Sequence, residues 1–318
     1  MLIGAIEAGG TKFKCAVATS SGVILQDTTI KTTTVEETME KVIKFFLAFP
    51  IKTMGVGCFG PICLDPSDER YGMILDTPKK IWANYNILKA LKDALKCNVK
   101  ITTDVNASAF GEFYYGYKKK FQNLVYVTIG TGIGGGIVYN GSLVQGHHHP
   151  EIGHMTLKRD SSDNYLSTCP FHSDCFEGLA SGISLDKRYN LSYDELAKRD
   201  DLLKIEANYI AQGIYNLYLT FAPDKIIIGG GVSHQEKLLP LVIEEFKKLN
   251  NNYYTYKAVK NVDELIVSPT LKDNSALYGA IALGVIEKWC SQKLWLMLRI
   301  LQLICYLLMK FLNILNLM

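Results

Sequence analysis

Apolar and polar positions alternate with a period of two at the start of the chain and again near its middle, and this repeat organises the rest. Leu2 to Val17 reads as strand, glycine turn and strand: an apolar run ends at Glu7, and Phe13, Cys15 and Val17 then alternate with polar or small residues. Ser20-Ser21-Gly22 turns the chain into a third strand, Val23 to Gln26. Leu124 to Val144 repeats the plan: apolar strand, Gly-Thr-Gly loop, strand, Asn140-Gly141 turn and short strand. Between the repeats the period becomes helical over Val35 to Phe49 and Asn86 to Cys97, with buried strands at Met54 to Gly57 and Val99 to Thr102. After them come a helix over Asp201 to Ala222, a strand from Lys225 into Gly229-Gly230-Gly231, a strand at Ile266 to Pro269 and a helix at Ala276 to Lys288. Gly279 and Gly284 allow that last helix to pack closely. Two equivalent runs of this kind predict an α/β chain of two domains, residues 1–115 completed by helix 276–288, and residues 116–275.

The glycine loops carry the first candidate chemistry. Gly9-Gly10-Thr11-Lys12 and Gly130-Thr131-Gly132 close equivalent hairpins. Backbone N–H groups from two such loops can grip a polyphosphate from opposite sides, since only glycine lets the backbone approach so closely. Gly130, Gly132 and Gly135 also satisfy G-x-G-x-x-G, but a dinucleotide loop opens a helix, whereas Gly136 leads through a strand into a hairpin turn. Gly9 to Lys12 lacks the spacing of a Walker loop, so neither common nucleotide fold is supported. Asp104 stands between a strand end and a helix start, the crevice where α/β proteins bind ligands. Aspartate is equally a favoured helix N-cap, so position alone leaves both readings open.

Composition narrows the function. Net charge is +3, from 34 basic and 31 acidic residues. That balance gives no case for a nucleic-acid partner. Four of the eight cysteines, Cys15, Cys58, Cys63 and Cys97, are scattered over strand-like and helix-like segments, and no secretory signal opens the sequence, so a reducing, cytoplasmic setting is expected. Cys169, His172 and Cys175 are each two intervening residues apart, and His154 lies fifteen residues before Cys169. Two thiolates and two imidazoles at this spacing predict a closed, tetrahedral, structural zinc site. A metal that fixes His154 would also fix the direction of Glu151, three residues earlier.

Taken together, these residues resemble the ROK family of sugar kinases, within the hexokinase and actin-like ATPase superfamily, and most closely its fructokinase branch. The blocks are EAGGTKF at Glu7 to Phe13, GCFGPI at Gly57 to Ile62, TPK at Thr77 to Lys79, TDVNAS at Thr103 to Ser108, TIGTGIGGG at Thr128 to Gly136, HPEIGH at His149 to His154, CPFHSDCFEGLASG at Cys169 to Gly182 and IIIGGGV at Ile226 to Val232. The likeness runs from Met1 to about Lys288. It implies a ribonuclease H-like fold with a duplicated βββαβαβα plan and ATP-dependent phosphorylation of a hexose, fructose foremost, at its 6-hydroxyl. By the same resemblance Asp104 is the general base, and Gly9, Gly10, Thr11, Lys12, Gly130, Thr131 and Gly132 hold the phosphates. Gly229, Gly230 and Gly231 border the adenosine. Asn84, Asn106, Glu151, His154 and Glu177 bind the sugar or shape its pocket, and His154, Cys169, His172 and Cys175 hold zinc. Glu7 orients hydrated Mg²⁺ or holds the neighbouring loop. Some members place Asn where this chain has Thr103, which argues against glucose. Ser167 replaces a family glycine two residues before the first zinc cysteine. A homodimer is expected. ROK repressors carry a DNA-binding domain ahead of the first glycine loop, which here begins at residue 9, so a kinase is expected rather than a regulator.

The composition changes abruptly at the end. Ten of the twenty-five residues from Leu294 to Met318 are Leu. Arg299, Gln302, Tyr306, Lys310, Asn313 and Asn316 fall within an arc of about 120° on a helical wheel, which predicts an amphipathic helix. As a membrane span it is borderline, because about −0.5 kcal/mol per central Leu must offset about +3 for Arg299. The expectation is a surface or oligomer-packing helix ahead of a membrane span, with a reading-frame accident as the third reading of residues 289–318, and in each case a tail that the chemistry does not need.

Overall fold

The computed structural model describes residues 1–286 other than 78, 147, 192, 197 and 256–260. The expected tail helix and the end of the helix at Ala276 to Lys288 lie outside the described residues. The first repeat comprises strands β1 (Leu2–Ala8), β2 (Lys12–Thr19) and β3 (Ile24–Lys31), helix α1 (Val35–Leu47), β4 (Thr53–Cys58), α2 (Ile87–Leu95), β5 (Asn98–Thr103) and α3 (Asp104–Gly111). The second begins with β6 (Leu124–Ile129), β7 (Ile133–Tyr139) and β8 (Ser142–Leu143). It then carries an insertion with α4 (Phe176–Ala180), α5 (Gly182–Tyr189) and α6 (Tyr193–Leu196). It resumes with α7 (Asp200–Phe221), β9 (Lys225–Gly229), α8 (Leu238–Asn250), α9 (Val262–Leu265), β10 (Ile266–Val267) and α10 (Ser275–Val285).

Each repeat builds one five-stranded sheet, in the orders β3-β2-β1-β4-β5 and β8-β7-β6-β9-β10. The correspondence is strand for strand. Three strands form an antiparallel meander, and two more add in parallel beyond its first strand. The Asn140-Gly141 turn has positive φ at both residues, 49° and 70°, as a two-residue hairpin turn requires. Central strands β1 and β4 are buried on both faces, which is why they read as apolar runs.

Each sheet packs against an apolar core. In the first, Trp82 is fully buried beside Phe13, with ring centroids 5.3 Å apart, and its indole N–H donates to the Thr33 carbonyl at 3.0 Å. The second gathers β6, β7 and β9 around α7, through residues such as Ile129, Phe176, Tyr209 and Ile228. Although α10 follows the second sheet in sequence, it packs on the first. Thr53 Oγ1 donates to the Gly284 carbonyl at 2.8 Å, and a β-carbon on Gly279 would stand 1.7 Å from the Ala107 carbonyl oxygen. The glycine at 279 therefore lets α10 touch α3 backbone to backbone. Met1–Gly284 form one compact unit. Among the described residues no helix is long and apolar enough to cross a membrane.

Candidate active site

Both glycine hairpins are tight because their own backbones close them. Gly9 N–H donates to the Lys12 carbonyl at 3.0 Å, and Gly130 N–H to the Gly132 carbonyl at 3.0 Å. Thr32 steadies the first loop, its hydroxyl donating to the Gly9 carbonyl at 2.8 Å. The second is braced from α4 and α5: the Ile133 N–H donates to Glu177 Oε2 at 2.9 Å, and the Gly182 N–H to the Gly130 carbonyl at 2.7 Å. Gly132 has no side chain to collide with that carboxylate, where a β-carbon would meet Glu177 Oε2 at 2.6 Å. Thr11, Lys12 and Thr131 at the loop tips are exposed.

A cavity of about 520 Å³ opens where the repeats meet. Glu7, Lys14, Asp104 and Ser108 line it from the first repeat, with Tyr126, Thr128, Gly229 and Gly230 from the second and the 268–276 segment along one wall. Asp104 is the first residue of α3, but it is not the cap. Thr103 caps the helix, its hydroxyl accepting from the Asn106 N–H at 3.1 Å, while Asp104 Oδ1 accepts from the Val105 N–H at 2.9 Å. A residue freed from capping, at a strand end on a cavity wall, is placed for chemistry. Burial pushes the Asp104 carboxyl up to about 6, against the Val105 N–H, which favours the charge, and with Glu7, whose negative charge opposes a second one nearby.

Glu7 is itself raised, chiefly by burial, although Lys14 Nζ stands 3.2 Å from Oε2 and pulls the other way. Of the two roles expected for Glu7, the structure displays an ion pair across the hairpin. Lys14 also donates to the Asp273 carbonyl at 2.5 Å, reaching the cavity wall. Neither Lys14 nor Tyr126 was expected from the sequence. Strand alternation carried the signal for Lys14, because it lies directly opposite Glu7 in the β1–β2 register.

The remaining expected residues are grouped differently. Gly229 and Gly230 line the cavity, and Gly230 takes φ 90° against the Ile129 backbone. Gly231 opens a short 3₁₀ turn to His234 rather than a full α-helix, so the β9–α8 connection is longer than the glycine run suggests. Glu151, His154 and Glu177 lie beside the second hairpin and do not line the cavity. There Glu151 is exposed, and a β-carbon on Gly153 would meet the Ile133 carbonyl at 2.1 Å. Asn106 is buried, its Nδ2 donating to Thr102 Oγ1 at 3.1 Å and its Oδ1 without a partner. Asn84 holds φ 63° in a turn, where its N–H donates to the Ile74 carbonyl at 2.8 Å.

The four expected metal ligands do converge. One ligand atom from each of His154, Cys169, His172 and Cys175 lies within 4.8 Å of the others, with Cys169 Sγ 3.6 Å from His172 Nδ1 and 3.9 Å from His154 Nδ1. Tetrahedral N and S ligands around one ion stand roughly 3.5 Å apart, so the set fits such an ion with small adjustments. Arginine braces the loop between the ligands. Arg159 donates to Asp174 Oδ1 at 2.7 Å and to the carbonyls of Tyr165 and Ser173. Ser167 turns its departure from glycine to use, since its hydroxyl accepts from the Cys169 N–H at 3.2 Å and donates to the His172 carbonyl at 2.8 Å.

Comparison with known proteins finds relatives along most of the chain. A fructokinase of Pediococcus pentosaceus is 41% identical over 284 residues, which cover 89% of this chain and 98% of that protein. A fructokinase of Lactococcus lactis subsp. cremoris is 42% identical over 274 residues, covering 86% and 93%. A solved ROK hexokinase from Thermus thermophilus superposes with a TM-score of 0.76 at 23% identity, over 90% of this chain and 99% of that one, which establishes the actin-like ATPase fold. The duplicated sheets, the paired glycine hairpins and a match of residues 3–286 to the ROK family lead to one conclusion: the chain belongs to the ROK family.

Proposed function

We infer that this chain is an ATP-dependent fructokinase, transferring the γ-phosphoryl group to the 6-hydroxyl of D-fructose. The observation that carries it is the kinship with fructokinases at 41–42% identity over nearly the whole of each protein. Phosphoryl transfer asks a protein mainly to position the attacking hydroxyl and to neutralise charge. Asp104 accepts the hydroxyl proton. A carboxylate raised to about 6 is still largely ionised at pH 7, and holds a proton better than an ordinary aspartate does. The glycine hairpins offer backbone N–H groups to the phosphates, while Gly229 and Gly230 give the adenosine a bare backbone to lie against. Mg²⁺ arrives with ATP, and the Glu7 and Asp104 carboxylates outnumber the Lys14 ammonium among the first repeat's cavity charges, which suits its hydrated ion. We assign zinc to His154, Cys169, His172 and Cys175, where it supplies a rigid anchor for the segment that carries Glu151. The six described cysteines are all unpaired, which agrees with a cytoplasmic setting.

Thr103 does not choose the sugar directly, since its hydroxyl is committed to capping α3. The test is steady-state kinetics with ATP and a panel of fructose, glucose, mannose and N-acetylhexosamines. Fructose is expected to give the highest kcat/KM. Equal or better turnover of glucose would remove the fructose assignment and leave the kinase.

A further inference from the structure

Eight residues beyond Asp104, the helix that carries it opens into a π-helical turn, Glu112–Gly116. Such turns are rare and occur often at functional sites. Here the turn aims one carboxylate. Glu112 is fully buried, and both oxygens accept from the segment that forms the cavity wall. Oε2 takes the Thr270 N–H at 3.1 Å and the Thr270 hydroxyl at 2.5 Å, while Oε1 takes the Leu271 N–H at 3.0 Å and the Ser275 hydroxyl at 2.7 Å. Four donors on one buried carboxylate, all from a segment some 160 residues away, are far more than a helix end needs. Gly116 makes the space, because a β-carbon there would lie 2.6 Å from Glu112 Oε2 and 2.4 Å from Thr270 Oγ1. Nothing in the phosphoryl-transfer chemistry described above uses this group.

The segment it holds is part of the cavity. Ser268, Pro269, Lys272, Asp273, Ser275 and Ala276 line it on the side of Gly229 and Gly230. Lys14 reaches the same wall from β2 through the Asp273 carbonyl. We propose that Glu112 is a positioning residue for phosphoryl transfer, clamping the 268–276 wall, on which the nucleotide rests, to the helix that presents Asp104. The role rests on the kinase reading. Its consequence is that the base and the nucleotide wall keep one register, set by a carboxylate that touches neither substrate. Hydrogen bonds to a charged acceptor are the strong ones, so their joint loss should be felt at the wall rather than at the sugar.

The test uses the full chain with Glu112→Ala and Thr270→Val. The first removes the acceptor and the second removes one donor while keeping the backbone bond. Glu112→Ala should raise KM for ATP roughly tenfold or more and lower kcat, with KM for fructose within about twofold of the parent. Thr270→Val should move the same constants in the same direction by less. Amide hydrogen exchange supplies a readout that needs no turnover: the Thr270 and Leu271 amides should be protected in the parent and lose that protection in Glu112→Ala. β,γ-Imido-ATP should slow exchange across 268–276 in the parent and less so in the variant. Unchanged KM for ATP with unchanged exchange, or an equal loss for both substrates, would overturn the proposal. If the parent phosphorylates no sugar, the kinase reading falls, and the exchange of those two amides still decides whether Glu112 holds the wall. Should Glu112→Ala fail to fold, Thr270→Val decides alone, and a Thr270→Val protein with parental KM for ATP and parental exchange overturns the clamp.

Discussion

The two repeats present equivalent positions to the same cavity and fill them with opposite chemistry. In the first, the β1–β2 hairpin contributes Glu7 and Lys14, and the last helix opens with Asp104. In the second, the β6–β7 hairpin contributes Thr128, opposite Gly134, and the last helix opens with Ser275. At these equivalent positions the charge is therefore carried by the first repeat, while Lys272 and Asp273 of the second reach the cavity from the connection ahead of its last helix. The hairpins differ in support as well. The first is held by an ion pair that faces the cavity, and the second by Glu177 from behind, on a helix whose N-cap is Cys175, a candidate metal ligand. On the kinase reading the two hairpins divide their labour, with charged groups beside Asp104 on the first and a backbone loop braced by Glu177 on the second.

The largest expected effect breaks this asymmetry at its centre. Asp104→Asn keeps an oxygen for the Val105 N–H and removes only the base, so kcat should fall by roughly 10²–10⁴ with fructose binding nearly unchanged. Stability should move the other way. The folded Asp104 titrates near 6, above the ordinary aspartate value, so the unfolded chain releases this proton first and stability is lost as pH rises from about 4 through 6. The amide escapes that cost, and Asp104→Asn should be more stable at pH 7.5, by about 3 kcal/mol at most, seen as a higher Tm. A variant that keeps a tenth of parental kcat would show that Asp104 is not the base.

Bracing of the second hairpin is tested next. Removing the metal with a strong chelator should lower Tm and fructose affinity together, and elemental analysis of protein purified without chelator should give about one zinc per chain. Absence of metal from such protein removes the zinc assignment. Glu177→Ala removes the acceptor of the Ile133 N–H, the bond that braces the second loop, and KM for ATP should rise roughly tenfold. If KM for fructose rises instead, Glu177 acts on the sugar, as the family resemblance alone implied.

How far the sequence disclosed this site depends on the range of the interactions concerned. The duplicated plan and both hairpins were legible because strand period and glycine turns are local signals, as Ile6 to Phe13 and Ile129 to Ile133 illustrate. The convergence of His154, Cys169, His172 and Cys175 was legible because three of the four share one short loop. The partners of Glu177, Lys14 and Glu112 were not, since each pairs with a group brought close by folding: Ile133, Asp273 and Thr270. Thr103 is instructive, because the residue beside it drew the attention while its own hydroxyl took the cap.

A smaller effect is expected at Glu7, where the charged hairpin tunes the base. The negative charge on Glu7 helps raise Asp104, so Glu7→Gln should move the acid limb of kcat/KM below its parental position near pH 6. The direction is fixed by the sign of the removed charge. A limb that stays in place, or moves to higher pH, would show that the two carboxylates do not interact across the cavity.

The smallest effect separates capping from specificity. Thr103 Oγ1 accepts the Asn106 N–H, and no comparable acceptor replaces it in alanine. Thr103→Ala should therefore cost about 1 kcal/mol of stability, seen as a lower Tm, whereas Thr103→Ser should cost little because serine caps equally well. Since the hydroxyl is already committed to the helix, the ratio of fructose to glucose kcat/KM should be the same in the parent and in both variants. A ratio that shifts in Thr103→Ala and is restored in Thr103→Ser would give this hydroxyl a second partner in the sugar, and would place part of the substrate choice on the first repeat.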